Sequence, residues 1–95
     1  CAFCLEMHAK ALRADGESAA RLDSLAGWRV SELFSERERA ALAWTESLTH
    51  VDKTHAPDED YTPLAAHFSE AEISDLTFAI ALMSAFNRLA IGMRQ

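Results

Sequence analysis

The sequence has little of what several protein classes require. It contains 3 Gly and 2 Pro in 95 residues, and its 2 Val and 3 Ile stand against 18 Ala. A β-rich domain uses more turn-forming and more β-branched residues, so we expect an all-α protein. No uninterrupted apolar run reaches the roughly 20 residues that span a bilayer, so we expect no membrane association.

Positive charge is also scarce. Nine Lys and Arg against 15 Asp and Glu give a net charge of −6, and the basic residues form no cluster. Nucleic acid is therefore not an expected partner.

The 49% hydrophobic content is too high for a disordered chain. In so short a chain it favours a core that a partner subunit completes. We expect a cytoplasmic homo-oligomer.

Apolar periodicity and helix-stop residues predict about five helices. Asp15-Gly16 ends the first helix. Two capping boxes, Ser35 to Glu38 and Ser69 to Glu72, open the third and the last. The predicted helices cover approximately residues 2–14, 18–30, 36–53, a short stretch from 60 with Pro63 in its first turn, and 70–92 or beyond.

The last predicted helix is apolar almost all round in its middle. Such a helix is typically central or buried at a subunit contact. Trp28, Trp44, Phe78 and Phe86 stand at helical spacing, and we interpret them as core or subunit-contact residues. Asn87, a polar residue in this apolar helix, is expected to form hydrogen bonds that tie two helices together. A role in a pocket is the less favoured alternative.

Both cysteines stand in the first four residues, Cys1-Ala2-Phe3-Cys4, and His8 follows four residues later. On a helix, Cys1, Cys4 and His8 share one face. The thiolate is the reactive form of cysteine, and a CxxC pair near a helix start lowers the pKa of a thiol. A neighbouring imidazole acts as base and then as acid. The second thiol closes a disulfide in place of over-oxidation. Redox dithiol chemistry therefore accounts for all three residues.

Three other interpretations stay open on the residues alone. Zinc has three ligands in this motif and needs a fourth, which His50, His55 or His67 would supply. A purely structural disulfide is a second interpretation, although closing so short a loop restricts the unfolded chain little. Inert, buried thiols beside an incidental histidine are the third. We expect the three remaining histidines to be surface or capping residues, and Glu6 to be solvated.

The motif Cys1-x-x-Cys4-x-x-x-His8, followed by an Ala- and Arg-rich helix, resembles the alkylhydroperoxidase D-like (AhpD-like) branch of the carboxymuconolactone decarboxylase family. The runs at residues 25–29, 34–46, 68–77 and 87–90 are similar to the family as well. The resemblance implies an AhpD-like helical fold and a homo-oligomer, trimeric or hexameric. It also implies an antioxidant, thiol-dependent peroxidase that uses no cofactor and no metal.

The resemblance also implies a role for each residue of the motif. Cys4 would attack the hydroperoxide and become a sulfenic acid, Cys1 would resolve it to a disulfide, and His8 would relay a proton. An external dithiol donor would regenerate the pair. The alternative is an oligomeric redox-sensing or binding module of the same fold without peroxide turnover.

The chain also departs from the family pattern. The family's relay usually includes a Glu upstream of the first cysteine, and the best-described peroxidases carry a His between the cysteines, where this chain has Ala2 and Phe3. We interpret residues 1–95 as a single AhpD-like domain, the C-terminal portion of a longer one whose N-terminal helices are absent from this sequence.

Overall fold

The computed structural model describes the backbone of residues 2–95 and the side chains from Phe3 onward. Every regular element in this range is helical, which confirms the all-α prediction. The elements are α1 (Ala2–Ala14), α2 (Ala19–Ser24), a 3-10 turn (Leu25–Gly27), α3 (Glu36–Thr49), α4 (Val51–Thr54), α5 (Asp58–His67) and α6 (Glu70–Gly92). They form two compact units that meet in sequence between Phe34 and Ser35. The single-domain interpretation stays a prediction.

In the first unit, α1 ends in a left-handed glycine, as predicted. Gly16 has φ of +96°. Its N–H donates to the carbonyl of Arg13 at 3.1 Å, and the N–H of Glu17 donates to that of Leu12 at 3.0 Å. These two bonds are the Schellman motif, which satisfies carbonyls that a helix end leaves without partners.

The second predicted helix is shorter than expected. It was predicted to run from 18 to 30, but α2 ends at Ser24 and the chain continues in 3-10 turns, whose N–H groups bond three residues back. Gly27 costs an α-helix about 1 kcal/mol relative to alanine, and the tighter winding accompanies the burial of Trp28.

Arg21 ties α2 to the end of the first unit. Its Nε lies 2.8 Å from Oε1 of Glu17, and its Nη1 donates to the carbonyl of Leu33 at 2.7 Å. The guanidinium also stacks 4.8 Å from the ring centroid of Phe34. The loop after the 3-10 turn is therefore held by one side chain that combines charge, hydrogen bonding and cation–π contact.

In the second unit, α3 packs on α5 and α6 around a small core. The buried residues of this core are Trp44, Leu64, Ile73 and Ile80. The indole Nε1 of Trp44 donates to Oγ1 of Thr77 on α6 at 3.0 Å. Its ring meets Tyr61 of α5 edge to face at 5.6 Å. Trp44 therefore joins α3 to both neighbouring helices.

Both predicted capping boxes are present. At α3, the N–H of Glu38 donates to Ser35 Oγ and the N–H of Ser35 donates to Glu38 Oε1. At α6, Ser69 and Glu72 make the same exchange. The hydrogen bonds from the backbone and side chain of Ser69 hold the pKa of Glu72 below its ordinary value, with the neighbouring Arg37 acting in the same direction.

The third predicted helix is divided. It was expected to reach residue 53, but α3 ends at Thr49 and α4 begins after His50, whose backbone leaves helical geometry. The buried Ser47 explains the break. The hydroxyl of Thr54 donates a hydrogen bond to the backbone carbonyl of Ser47 at 2.7 Å. In a continuous helix that carbonyl would accept a hydrogen bond from a backbone N–H instead. The described residues thus form six α-helices where about five were predicted.

The prediction for Pro63 is wrong. It was placed in the first turn of a helix beginning near residue 60, whereas α5 begins at Asp58 and Pro63 lies inside it. Asp58, Glu59 and Asp60 fill the first turn, where negative charge is favourable. Pro63 removes one backbone hydrogen bond, and the next residue, Leu64, is completely buried in the core.

The α6 helix has the bounds that the sequence predicted. By length and composition it also qualifies as a helix able to cross a membrane. One such helix is weak evidence by itself. Only 6% of its apolar window is buried, and Ile73 and Ile80 are the α6 residues that belong to the core beside α3 and α5.

The two glycines at the ends of helices should respond oppositely to alanine. Gly16→Ala is expected to lower the free energy of unfolding by about 1 kcal/mol, because alanine resists positive φ. An added Cβ would meet no other group at either position. The backbone conformation alone therefore decides whether alanine raises or lowers the free energy of unfolding. Gly92→Ala, at an ordinary helical φ, is the matched control and should be neutral or slightly stabilising. Thermal unfolding of both variants checks this, and equal shifts would contradict it.

Trp44 should be the most sensitive position of the second unit. Trp44→Ala is expected to cost about 3–5 kcal/mol through lost burial. Trp44→Phe keeps most of the apolar volume but leaves the Thr77 hydroxyl without its hydrogen-bond donor. It is expected to lower the free energy of unfolding by about 1–2 kcal/mol. Urea unfolding followed by circular dichroism measures both. Equal losses for the two variants would show that the hydrogen bond, and not the ring volume, dominates.

Candidate functional site

The two motif residues that the structure describes lie on α1. Because the helix begins at Ala2, Cys4 falls in its first turn and His8 one turn later. The pair shares one helix face, as predicted, at a spacing that brings Cβ atoms within about 5–6 Å. Cys4 is half-buried and His8 is exposed. A molecule in solution can therefore reach the imidazole and approach the thiol.

Cys1 lies outside the described residues, so its pairing with Cys4 stays a prediction. Within the part of the chain that the structure does describe, no three His, Cys, Asp or Glu side chains gather as metal ligands. His50, His55 and His67 are exposed, as expected for surface or capping residues. A zinc site that includes Cys1 is not tested by this arrangement.

The surface of α1 beside the motif is unusually apolar. Phe3 and Leu5 are each more than 70% exposed, and Met7 is 44% exposed. Phe3, Glu6, Met7 and Lys10 line a shallow depression of about 270 Å³. Met7 stands one turn after Cys4, so this depression adjoins the thiol along the helix. Glu6 is exposed, as predicted.

Sequence reasoning did not single out Phe3 and Met7. Phe3 and Met7 are four residues apart, so the spacing alone could have placed both on one side of a helix, next to the face that carries Cys4. What the spacing does not reveal is that neither side chain is covered.

A second concave region lies in the other unit, between α3 and α6. Thr49, Ser84 and Asn87 are common to two adjoining parts of this groove, of about 420 and 300 Å³. The hydroxyls of Thr49 and Ser84 donate to carbonyls of their own helices. Asn87 is exposed and no hydrogen bond joins its side chain to another described residue. The prediction that Asn87 ties two helices together is therefore wrong.

With the fold and the α1 pair established, comparisons with known proteins are informative. Residues 1–47, which contain α1, the motif and most of α3, match the model of the Carboxymuconolactone decarboxylase family.

A solved structure extends the similarity over the whole chain. It is a protein of unknown function from Agrobacterium tumefaciens, described as a candidate antioxidant defence protein AhpD. It is 42% identical, with a TM-score of 0.96, and the match covers all of this chain and 65% of that one. The predicted AhpD-like helical fold is thereby confirmed.

Two bacterial relatives share the sequence at lower identity. YdfG of Bacillus subtilis is 34% identical and YnjA of Escherichia coli is 33% identical, each over 93 residues, and both are uncharacterized proteins. The chain spans 63% of the length of the first and 50% of the second. These relatives supply no activity.

Proposed function

We propose that this protein reduces hydroperoxides by thiol chemistry, with Cys4 as the attacking group. The observation that carries the proposal is the position of Cys4 and His8, one turn apart on the first two turns of α1, with the imidazole open to solvent. A nucleophile next to a base is the basic unit of thiol catalysis. The family match and the AhpD-like structural neighbour support it.

The first step transfers one oxygen atom. His8 accepts the thiol proton, and the Cys4 thiolate attacks one oxygen of the hydroperoxide group. The O–O bond breaks, a sulfenic acid forms on Cys4, and the alcohol leaves after taking a proton from the imidazolium of His8. The sulfur is oxidised by two electrons and the peroxide is reduced to an alcohol.

The second step closes a disulfide. The Cys1 thiol attacks the sulfur of the Cys4 sulfenic acid, the S–S bond forms, and the oxygen leaves as water. An external dithiol then reduces the disulfide by exchange, becoming a disulfide itself. The cycle converts one hydroperoxide and one dithiol into an alcohol, water and one disulfide, with no metal or cofactor.

The exposed apolar groups of α1 favour organic hydroperoxides over hydrogen peroxide. Phe3 and Met7 adjoin the face that carries Cys4, and apolar surface binds the organic portion of a substrate in proportion to the area removed from water. Lys10 at the rim of the same depression suits a substrate that also bears a negative charge.

Substitution of each cysteine should have a different effect. With dithiothreitol as the dithiol and cumene hydroperoxide as the substrate, Cys4→Ser is expected to abolish catalytic peroxide consumption. Cys1→Ser should leave a sulfenic acid or a mixed disulfide on Cys4, because the resolving thiol is gone. Peroxide assays and mass spectrometry of the oxidised protein check both.

Two results would contradict the proposal. Full activity in Cys4→Ser would show that another group attacks the peroxide. In the unsubstituted protein, one stoichiometric oxidation without turnover would favour the redox-sensing module. About one zinc per chain, lost in Cys1→Ser together with thiol reactivity, would favour the metal site.

His8 should affect the rate of peroxide reduction. His8→Gln is expected to lower kcat/KM by about 10²–10⁴, the usual contribution of a general acid–base group. His67→Gln is the matched control, since His67 is an exposed histidine at the end of α5, and steady-state peroxide assays compare the two variants. Full activity in His8→Gln would assign the proton transfer to another group.

A further inference from the structure

A second sulfur lies beside the candidate redox site. Met7 follows Cys4 by three residues on α1, a spacing that makes the two side chains neighbours on the helix surface. Met7 also belongs to the shallow depression of about 270 Å³ on this helix, which we call the α1 depression. Its lining residues are Phe3, Glu6, Met7 and Lys10. The proposed reaction of Cys4 gives the Met7 thioether no role.

Exposure alone does not set Met7 apart from the other two methionines of the chain. Met7 is 44% exposed, Met83 is 42% exposed and Met93 is 69% exposed. A small oxidant that reacts with any thioether it meets in solution should therefore oxidise Met93 first and the other two at similar rates. An excess of oxidation at Met7 over Met83 has to come from the surroundings of the sulfur.

The surroundings of Met7 and Met83 differ in kind. The α1 depression combines the thioether with the ring of Phe3, which is 73% exposed. Met83 lies in the groove between α3 and α6, where hydroxyl and amide groups come from Thr45, Thr49, Ser84 and Asn87. Both sulfurs line a concave surface. The surface at Met7 offers an aromatic ring and a thioether, which both attract the organic portion of a hydroperoxide.

We propose that Met7 is a modification site, whose thioether is oxidised to a sulfoxide by organic hydroperoxides bound in the α1 depression. The sulfur attacks one oxygen of the hydroperoxide group, so that an S–O bond forms and the O–O bond breaks. The proton of the transferred oxygen moves to the departing alkoxide, which leaves as an alcohol. The sulfur is oxidised by two electrons, and the hydroperoxide is reduced by two.

Oxidation of Met7 changes the α1 depression itself. A sulfoxide is polar whereas a thioether is apolar, so the depression loses apolar surface that binds an organic substrate. Oxidised Met7 should therefore weaken the preference for organic hydroperoxides, while hydrogen peroxide, which needs no apolar contact, still reacts with Cys4. This consequence rests on the proposed function of Cys4, and the oxidation of Met7 does not.

Peptide mass spectrometry of the oxidised protein tests the proposal. The protein is treated with cumene hydroperoxide or with hydrogen peroxide in the absence of a dithiol, and the rates of sulfoxide formation at Met7 and Met83 are measured. The Met7-to-Met83 rate ratio should be on the order of tenfold higher with cumene hydroperoxide, because removing roughly 55 Å² of apolar surface from water raises the occupancy by that factor. The comparison of two oxidants cancels any difference in the exposure of the two sulfurs.

Two variants identify the cause of a high ratio. Phe3→Ser should lower the ratio with cumene hydroperoxide to that with hydrogen peroxide, because the aromatic ring is gone, and circular dichroism shows whether the helical content is kept. Cys4→Ser should keep the high ratio, because the oxidation of Met7 needs no turnover. Equal ratios for the two oxidants in the unsubstituted protein overturn the proposal, as does a high ratio that Phe3→Ser retains. A ratio that falls in Cys4→Ser assigns the oxidation to a reaction through Cys4 and also overturns it.

A kinetic measurement tests the consequence for the substrate. After peroxide treatment and reduction by dithiothreitol, the KM for cumene hydroperoxide should be several-fold higher in the unsubstituted protein and unchanged in Met7→Leu, whose apolar side chain forms no sulfoxide. Met83→Leu is the matched control and should respond like the unsubstituted protein. A KM that stays constant while Met7 is a sulfoxide would contradict the consequence. A protein without peroxidase activity can still show the oxidation of Met7, so the two proposals fail separately.

Discussion

The indole of Trp44 is the interaction on which the second unit depends. One side chain of α3 packs into the core, donates a hydrogen bond to α6 and meets a ring of α5 edge to face. A small core has few large groups, so a single residue of α3 that contacts both α5 and α6 fixes the mutual positions of the three helices. Trp44 contacts the side of α6 that carries Ile73, Thr77 and Ile80, so the opposite side of that helix is left exposed.

The candidate redox site depends much less on packing. Cys4 and His8 are neighbours because α1 is a helix, and a helix brings residues four apart together whatever surrounds it. Their different exposure and the open apolar side chains beside them belong to the folded surface and do not follow from the spacing. This explains why the described part of the site agrees with the spacing read from the sequence, while the apolar surroundings of Phe3 and Met7 were not predicted.

The agreement between sequence and structure follows the strength of local signals. α1 ends just before Gly16, whose positive φ favours glycine, and α3 and α6 begin at capping boxes. These boundaries were therefore predictable from a few adjacent residues. The misjudged boundaries depend on contacts that lie outside a single helix. Thr54 captures the carbonyl of Ser47 and stops α3 early. Pro63 is tolerated inside α5, where the following leucine is completely buried.

The sequence by itself determined the helical class, the main caps and the shared face of Cys4 and His8, because each of these depends on interactions within one or two turns. Only the tertiary structure decided which apolar residues are buried. Phe86 and Ile80 are equally apolar and belong to the same helix, yet one is exposed and the other lies in the core. Periodicity places both on α6, but the contact of α3 and α5 with one side of that helix is a property of three segments together.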